Sequence, residues 1–405
     1  MNIDDCRSIK SSTMAKIYLD NAATSFPKPP QVWEAMQQYM LNIGASPGRG
    51  GYSLSLDAGR LTLNARIAAA RLFRAPSEEH VVFTPNVTYA LNCAIHGLLR
   101  PEDHVVTTSM EHNSVIRPLC HAKDQNRVEV SIVGCDSLGR LDPDDIRKAI
   151  RPNTKMIVMT GASNVVGTIL PVADVGRIAA EAGAFFVVDA AQTAGVIDLD
   201  FGALGADILA FTGHKALYGP PGTGGMIVSD RAAAEMLPLA QGGTGSKSDE
   251  ERQPGFLPDK FEPGTPNTVG IAGLAAGMQF VQKTGPDRIR RHEAELASRF
   301  VQQAVDIGPK VRVLGPWGSG EASADDAVAT VSISFEDGCI DPGRLAYELD
   351  AEFGVMVRSG LHCAPLAHKT VGTFPEGTVR FSFGWFNTIA DVDRAATALA
   401  ELASE

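Results

Sequence analysis

From about residue 80 the chain alternates short apolar runs with amphipathic stretches of helical period, and this alternation limits the fold more than anything else in the sequence. The predicted strands are Val81–Thr84, Val105–Thr108, Val128–Val133, Met156–Thr160, Phe185–Asp189, Ile208–Phe211 and Met226–Ser229. Between them lie helical patterns such as Pro143–Ile150 and Val172–Ala182. The first of these has Asp142 as N-cap, Pro143 at the first helical position, and Asp144 and Asp145 in the first turn. Strand, helix and strand at this spacing predict an α/β fold with a mostly parallel sheet covered on both faces. Ligands of such sheets bind outside the carboxyl ends of the strands. Residues 241–267 are rich in Gly, Pro and charge and form a loop too long for a plain connector, so a functional or intersubunit role is expected. The helical pattern from Val269 to about Lys283 leads into further strands at Val311–Leu314, Ala329–Phe335, Val355–Val357 and Val379–Phe383. Helical stretches at Pro342–Asp350 and Ile389–Leu402 accompany them. The expected division is a leader 1–16, a large domain 45–267, and a smaller α/β domain from 17–44 with 268–405.

Composition narrows the function classes. The 405 residues include 36 Lys and Arg against 47 Asp and Glu, a net charge of −11. That balance leaves no basic footprint for nucleic acid or an anionic membrane. No apolar run reaches the roughly 18 residues of a membrane helix. Met1 to Lys16 lacks the apolar stretch of a secretory signal and contains Asp4 and Asp5, so a loose leader with a later start at Met14 is expected. The six cysteines include no C-x-x-C pair, which argues against a zinc ribbon, and their scarcity points to a reducing, cytoplasmic setting. No metal site is expected.

Four predicted strands end in polar groups. Ser109-Met110-Glu111-His112 follows one, Gly161-Ala162-Ser163-Asn164 a second, Asp189-Ala190-Ala191-Gln192 a third, and Thr212-Gly213-His214-Lys215 a fourth. In a parallel sheet His112, Asn164, Asp189, Gln192, His214 and Lys215 then share one crevice. A lysine behind an apolar strand can be desolvated into a Schiff-base nucleophile. A strand-end Asp can carry a charge inside if a cation, such as a protonated pyridine nitrogen, pairs with it. Alone, such an Asp is more often a helix cap and such a Lys more often a solvated charge. Their joint placement with a His on a third strand favours chemistry.

A phosphate needs N–H donors and hydroxyls at a helix start. Thr84-Pro85-Asn86-Val87-Thr88 leads from a strand into a helix and suits that role through its amides and the Thr88 hydroxyl, while a plain N-cap by Asn86 or Thr88 is the other reading. Gly222-Thr223-Gly224-Gly225 precedes a strand and reads as a tight turn. Near the end, Arg358-Ser359-Gly360-Leu361-His362-Cys363-Ala364-Pro365 sets a thiol in a loop beside a His and an Arg, two routes to a reactive thiolate. Cys93, Cys120, Cys135 and Cys339 read as packed small hydrophobes. Arg380, in a strand, suits either bidentate capture of a carboxylate or a structural ion pair.

Seven segments together are similar to one family. They are YLDNAATSFPKP (18–29), SMEHNS (109–114), GASNVVGTILPV (161–172), VVDAAQTAG (187–195), FTGHKALYGPPGTG (211–224), FEPGTPN (261–267) and RSGLHCAP (358–365). They resemble the cysteine desulfurase and selenocysteine lyase group of class V aminotransferase-fold enzymes, from about Ile17 to Leu402. The resemblance implies the fold of pyridoxal 5′-phosphate-dependent type I aminotransferases. It makes Lys215 the lysine that carries the cofactor and moves the substrate α-proton, Asp189 the partner of the pyridine nitrogen, Gln192 the ligand of the ring hydroxyl, and His112 the imidazole stacked on the ring. Thr88, Thr212 and His214 become phosphate ligands. Thr265 becomes the phosphate contact supplied by the other subunit of a homodimer. Asn164 and Arg380, with Arg358 nearby, would hold the substrate carboxylate, and Cys363 would take the sulfur. The implied reaction converts L-cysteine to L-alanine, with a persulfide on Cys363 passed to a sulfur-acceptor protein or thiol. Selenocysteine lyase and a class V C–S lyase are the alternatives. Leu361 stands where relatives in iron–sulfur assembly often have a second His, so the resemblance leaves the acceptor and its pathway open.

Overall fold

The computed structural model describes residues 16–404 apart from 49, 127, 321 and 336–339. The expected leader before Lys16, the start at Met14, and Cys6 and Cys339 therefore lie outside the described residues. In chain order the strands are β1 (Ile17–Tyr18), β2 (Val81–Thr84), β3 (His104–Thr108), β4 (Glu129–Val133), β5 (Thr154–Thr160), β6 (Phe185–Asp189), β7 (Ile208–Thr212), β8 (Gly224–Val228), β9 (Val311–Val313), β10 (Thr330–Phe335), β11 (Val355–Met356), β12 (Arg358–Gly360) and β13 (Thr378–Ser382). Seven of them build a sheet in the order β2-β8-β7-β6-β5-β3-β4. Neighbours run parallel except at β8, which is antiparallel to both β2 and β7. The carboxyl ends of β2, β3, β5, β6 and β7 consequently share one edge.

The two-residue period of these strands divides their side chains between two cores. Ile157, Met159, Phe186, Val188, Leu209 and Phe211 enter one cluster, and Met156, Val158, Phe185, Val187, Ile208 and Ala210 enter the other. Burying each large aliphatic or aromatic side chain contributes about 1.5–3 kcal/mol. Both faces are therefore apolar and covered, as a near-continuous hydrophobic strand requires. The helix Val172–Ala182 lays Val175 and Ile178 on one face, and Val87–Leu98 lays Leu91 and Ile95 on the other.

A second, antiparallel sheet runs β12-β13-β10-β9, and β11 pairs with β1 in parallel. Its core joins Ile17 and Leu19 to Phe300, Val331, Ile333, Phe381 and Leu399. The residues after β1 continue along this sheet: Ser382 N–H donates to Leu19 O at 2.7 Å, and Asp20 bridges to Ser382. This zipping carries Asp20 to the strand that bears Arg380.

The predicted elements return within a few residues, with informative exceptions. β8 starts at Gly224, not Met226. A Cβ there would lie 2.8 Å from Phe211 O and 2.9 Å from Asn86 Cα, so a bare backbone is needed for close approach. Only Gly222, at φ 77°, makes the expected turn. The predicted strand Val355–Val357 ends at Met356 as β11, and a second short strand, β12, begins at Arg358. Cys120 is exposed, correcting its reading as a packed hydrophobe. It sits on the outer face of the helix Asn113–Asn126, whose Val115 and Leu119 turn inward. Among the described residues no helix is long and apolar enough to cross a membrane.

Candidate active site

Eleven of the twelve singled-out residues line one cavity of about 270 Å³ at the carboxyl edge of the parallel strands. Those from the large sheet arrive at or just beyond the carboxyl end of a strand. His112 follows β3, Asn164 follows β5, Asp189 ends β6, and Thr212 ends β7 with His214 and Lys215 behind it. Thr88 follows β2 in the first turn of Val87–Leu98, where N–H groups have no acceptor within the helix. Asn86 is that helix's cap, accepting from Tyr89 N–H at 2.9 Å. The capping alternative thus belongs to Asn86, and the Thr88 hydroxyl pairs instead with Ser114 at 2.9 Å.

The Lys215 turn is closed by Tyr218 N–H donating to Lys215 O (2.9 Å) and by Gly219 N–H donating to Gly213 O (2.8 Å). Gly195, at φ 101°, would place a Cβ 2.3 Å from Ala216 O, so only glycine lets the segment after Asp189 pack against this turn. Burial lowers Lys215 to about 8, against the pull of Asp189, with Arg380 and Arg358 adding to the drop. Burial likewise raises Asp189, opposed by the Ala191 N–H at 2.9 Å and by Lys215. His112 falls to about 4 through burial and the neighbouring cations Lys215, Arg117 and Arg380. Its Nδ1 accepts from Ser114 N–H at 3.0 Å, so the proton of the neutral ring lies on Nε2. His214 is also held down to about 4, by burial first.

Cys363 is exposed and lines the same cavity. Both His362 (φ 48°) and Cys363 (φ 58°) adopt the left-handed backbone that disfavours side chains, at a cost of about 1–2 kcal/mol each. The surroundings hold the strained pair: Asn164 Nδ2 donates to His362 O at 2.7 Å, and Asn113 N–H donates to Cys363 O at 2.8 Å. His362 itself turns inward to Thr378 Oγ1 (3.0 Å), and burial and Arg380 drive it down to about 2. A neutral, inward imidazole lends Cys363 no charge. One of the two expected routes to a thiolate is thereby removed.

Arg380 is almost fully buried. Its Nη1 donates to Asn164 O and its Nη2 to Asp20 Oδ1, both at 2.9 Å, while Nε has no partner among the described residues. Arg358 holds the other oxygen of Asp20 from Nε (3.0 Å) and Nη2 (2.9 Å). The ion-pair and carboxylate-capture readings of Arg380 thus coexist. Gln192 donates to Ala22 O at 3.1 Å. Thr265 alone stands elsewhere, in a separate cavity with Thr62, Arg66, Glu262 and Asn267. Sequence reasoning missed Asp20, although its place after an apolar strand pair in YLDNAAT matches the signal used for Asp189. It also missed Glu111, a fully buried carboxyl that accepts from Thr108 Oγ1 (2.6 Å) and Thr160 N–H (3.1 Å) and is raised to about 8 by burial.

Two further polar atoms at the cavity, Thr212 Oγ1 and Asn164 Oδ1, are buried without a partner among the described residues. A buried carboxylate awaiting a cation, a lysine shifted toward its free amine, hydroxyls at a helix start and at a strand end, and a neutral ring make a coherent set. They fit a flat group with an aldehyde, a basic ring nitrogen and a phosphate. The exposed thiol lines the same space.

The aminotransferase class-V family model matches residues 17–395. A probable cysteine desulfurase of Methanothermobacter thermautotrophicus is 36% identical over 392 residues, covering 96% of this chain and 94% of that protein. One of Pyrococcus abyssi is 34% identical, covering 98% and 97%. Among solved structures, the apo cysteine desulfurase of Thermococcus onnurineus NA1 superposes with a TM-score of 0.88 at 34% identity, covering 96% of this chain and 95% of that one. The Escherichia coli cysteine desulfurase CsdA superposes with a TM-score of 0.82 at 26% identity, covering 96% and 94%.

Proposed function

Because the chain belongs to the aminotransferase class-V family and to its cysteine desulfurase group, we propose that this site converts L-cysteine to L-alanine and leaves the sulfur on Cys363. The observation that carries the reading is the one cavity shared by Lys215 and Asp189, at the ends of neighbouring strands, and the exposed thiol of Cys363. Pyridoxal 5′-phosphate bound there supplies an electron sink at the substrate α-carbon. Asp189 would pair with its ring nitrogen, Gln192 would meet its ring hydroxyl, and His112 would cover its face. The Thr88 and Thr212 hydroxyls, with His214, would hold its phosphate.

The chain's own residues then divide the work. Arg380 and Asn164, with Arg358 beside them, orient the substrate carboxylate. Lys215 Nζ, shifted toward its neutral form, takes the α-proton. Cys363 Sγ attacks the substrate sulfur, so an S–S bond forms as the C–S bond breaks. The released electron pair ends as a C–H bond of alanine, and Cys363 carries the persulfide. An acceptor thiolate then attacks the outer sulfur and frees Cys363. The exposed, pinned loop suits such a hand-over.

Thr265 fits a homodimer. Its cavity includes Leu63 and Gly59, and the neighbouring segment exposes Trp33, Met40, Leu41, Tyr52, Leu54 and Leu56. A second copy covering that apolar stripe would bring Thr265 to the other subunit's phosphate. The division into a large unit 45–267 and a smaller unit of 17–44 with 268–405 goes with this arrangement, the cavity lying between their sheets. A working thiol, with free Cys93, Cys120 and Cys135, suits a reducing compartment, and we place the enzyme in the cytoplasm. The test is reduction of the cofactor-loaded protein with borohydride followed by peptide mass analysis. The cofactor is expected on Lys215, and a colourless protein that takes up none refutes the reading.

A further inference from the structure

Arg358 and Arg380 stand directly opposite each other in the β12–β13 pairing. Side chains so placed share a face, and two like charges there repel. Asp20 enters between them from the segment after β1. Its Oδ1 accepts from Arg380 Nη2 at 2.9 Å, and its Oδ2 accepts from Arg358 Nη2 at 2.9 Å and Nε at 3.0 Å. The carboxylate is 8% exposed, and the Ser382 bridge fixes its backbone. One buried carboxylate therefore serves two guanidinium groups that both line the cavity.

The charge at this wall is then defined. His112, His214 and His362 are neutral at pH 7, and Asp189 faces a cation of its own, Lys215 here and the ring nitrogen in the cofactor-loaded protein. Two arginines against Asp20 leave one positive charge, which matches a ligand with a single carboxylate. We propose that Asp20 is a positioning and specificity-determining residue: it fixes both guanidinium groups and limits the cavity to one unit of positive charge, so that amino acids with a second anion on the side chain are disfavoured. The inference rests on the reading that Arg380 receives the substrate carboxylate.

The test compares L-alanine with L-aspartate, which adds a side-chain carboxylate. Both are measured on the cofactor-loaded protein, by calorimetric titration and as inhibitors of L-cysteine turnover. Asp20→Asn keeps the shape and one oxygen acceptor but frees a second positive charge. The preference for L-alanine over L-aspartate is expected to shrink about tenfold or more, the effect of one unit charge a few ångströms away in a protein interior. Arg358→Gln, at a half-exposed position, removes a positive charge and is expected to widen the same preference. It also decides the matter if Asp20→Asn fails to fold. A purely structural Asp20 would lower stability and weaken both ligands equally, and an unchanged ratio in either folded variant overturns the proposal. If the unaltered protein neither turns over L-cysteine nor binds L-alanine competitively, the failure lies in the proposed function instead.

Discussion

The state of Lys215 offers the sharpest handle on the cofactor half of the site. Burial brings its amine from 10.5 to about 8, with Asp189 resisting and the two arginines assisting. At pH 7.5 about a quarter of such an amine is free, against about one part in a thousand for an unperturbed lysine. Replacing Asp189 with Asn removes the larger of the two charges that favour the ammonium, Asp20 being the smaller, so the free amine should appear at lower pH still, by about one unit or more. The assay is competitive acylation of cofactor-free protein with a trace amine reagent across pH 6 to 11, with the Lys215 peptide quantified by mass spectrometry. The expected midpoint is about 8 in the unaltered protein, lower in Asp189→Asn, with exposed lysines such as Lys148 as internal references. A Lys215 midpoint beside those of the exposed lysines, or one that rises in Asp189→Asn, would refute the electrostatic account.

Three other outcomes follow from the same contacts. Cys363→Ala is expected to abolish L-alanine formation from L-cysteine while leaving the Lys215 acylation profile unchanged, because the groups that shift the amine are burial, Asp189, the two arginines and Asp20. Arg380→Gln should raise KM for L-cysteine about a hundredfold with a smaller change in kcat, the loss of charge-assisted bonds worth about 2–3 kcal/mol, read from steady-state kinetics. Glu262 accepts from Arg66 and from Phe83 N–H and ties the 241–267 loop to the helix Ser53–Phe73. Glu262→Ala should cost on the order of 3 kcal/mol in urea unfolding, because Arg66 would be left buried without its counter-ion, keeping only its bond to the Val81 carbonyl.

Much of this molecule could be read before its coordinates. The strands from Val81 to Val228, apart from the edge strand β4, are buried on both faces, so their apolar runs are long and clear, and the polar groups that end them point to one edge. The parallel topology then gathers His112, Asn164, Asp189 and Lys215 without further information. What stayed hidden depends on contacts between distant segments. Asp20 acquires its role only when the chain's start is zipped onto β13, 362 residues away at Ser382. The inward turn of His362 depends on Thr378 in a neighbouring strand, so adjacency to Cys363 in sequence suggested a charge that burial denies. Cys120 was misread because a helix's outer face cannot be told from its inner one by a single residue. Gly224 looked like a turn, whereas its lack of a side chain serves the approach of Phe211 and Asn86 across the sheet.

The central claim is that sulfur leaves the substrate onto Cys363. It is tested most directly by incubating the cofactor-loaded protein with L-cysteine in the absence of any acceptor thiol, then trapping and sequencing the Cys363 peptide by mass spectrometry while L-alanine is counted. The account predicts one added sulfur on Cys363 and a matching amount of L-alanine. Pyruvate and free sulfide with an unmodified Cys363 would contradict it and assign the cavity to elimination chemistry instead.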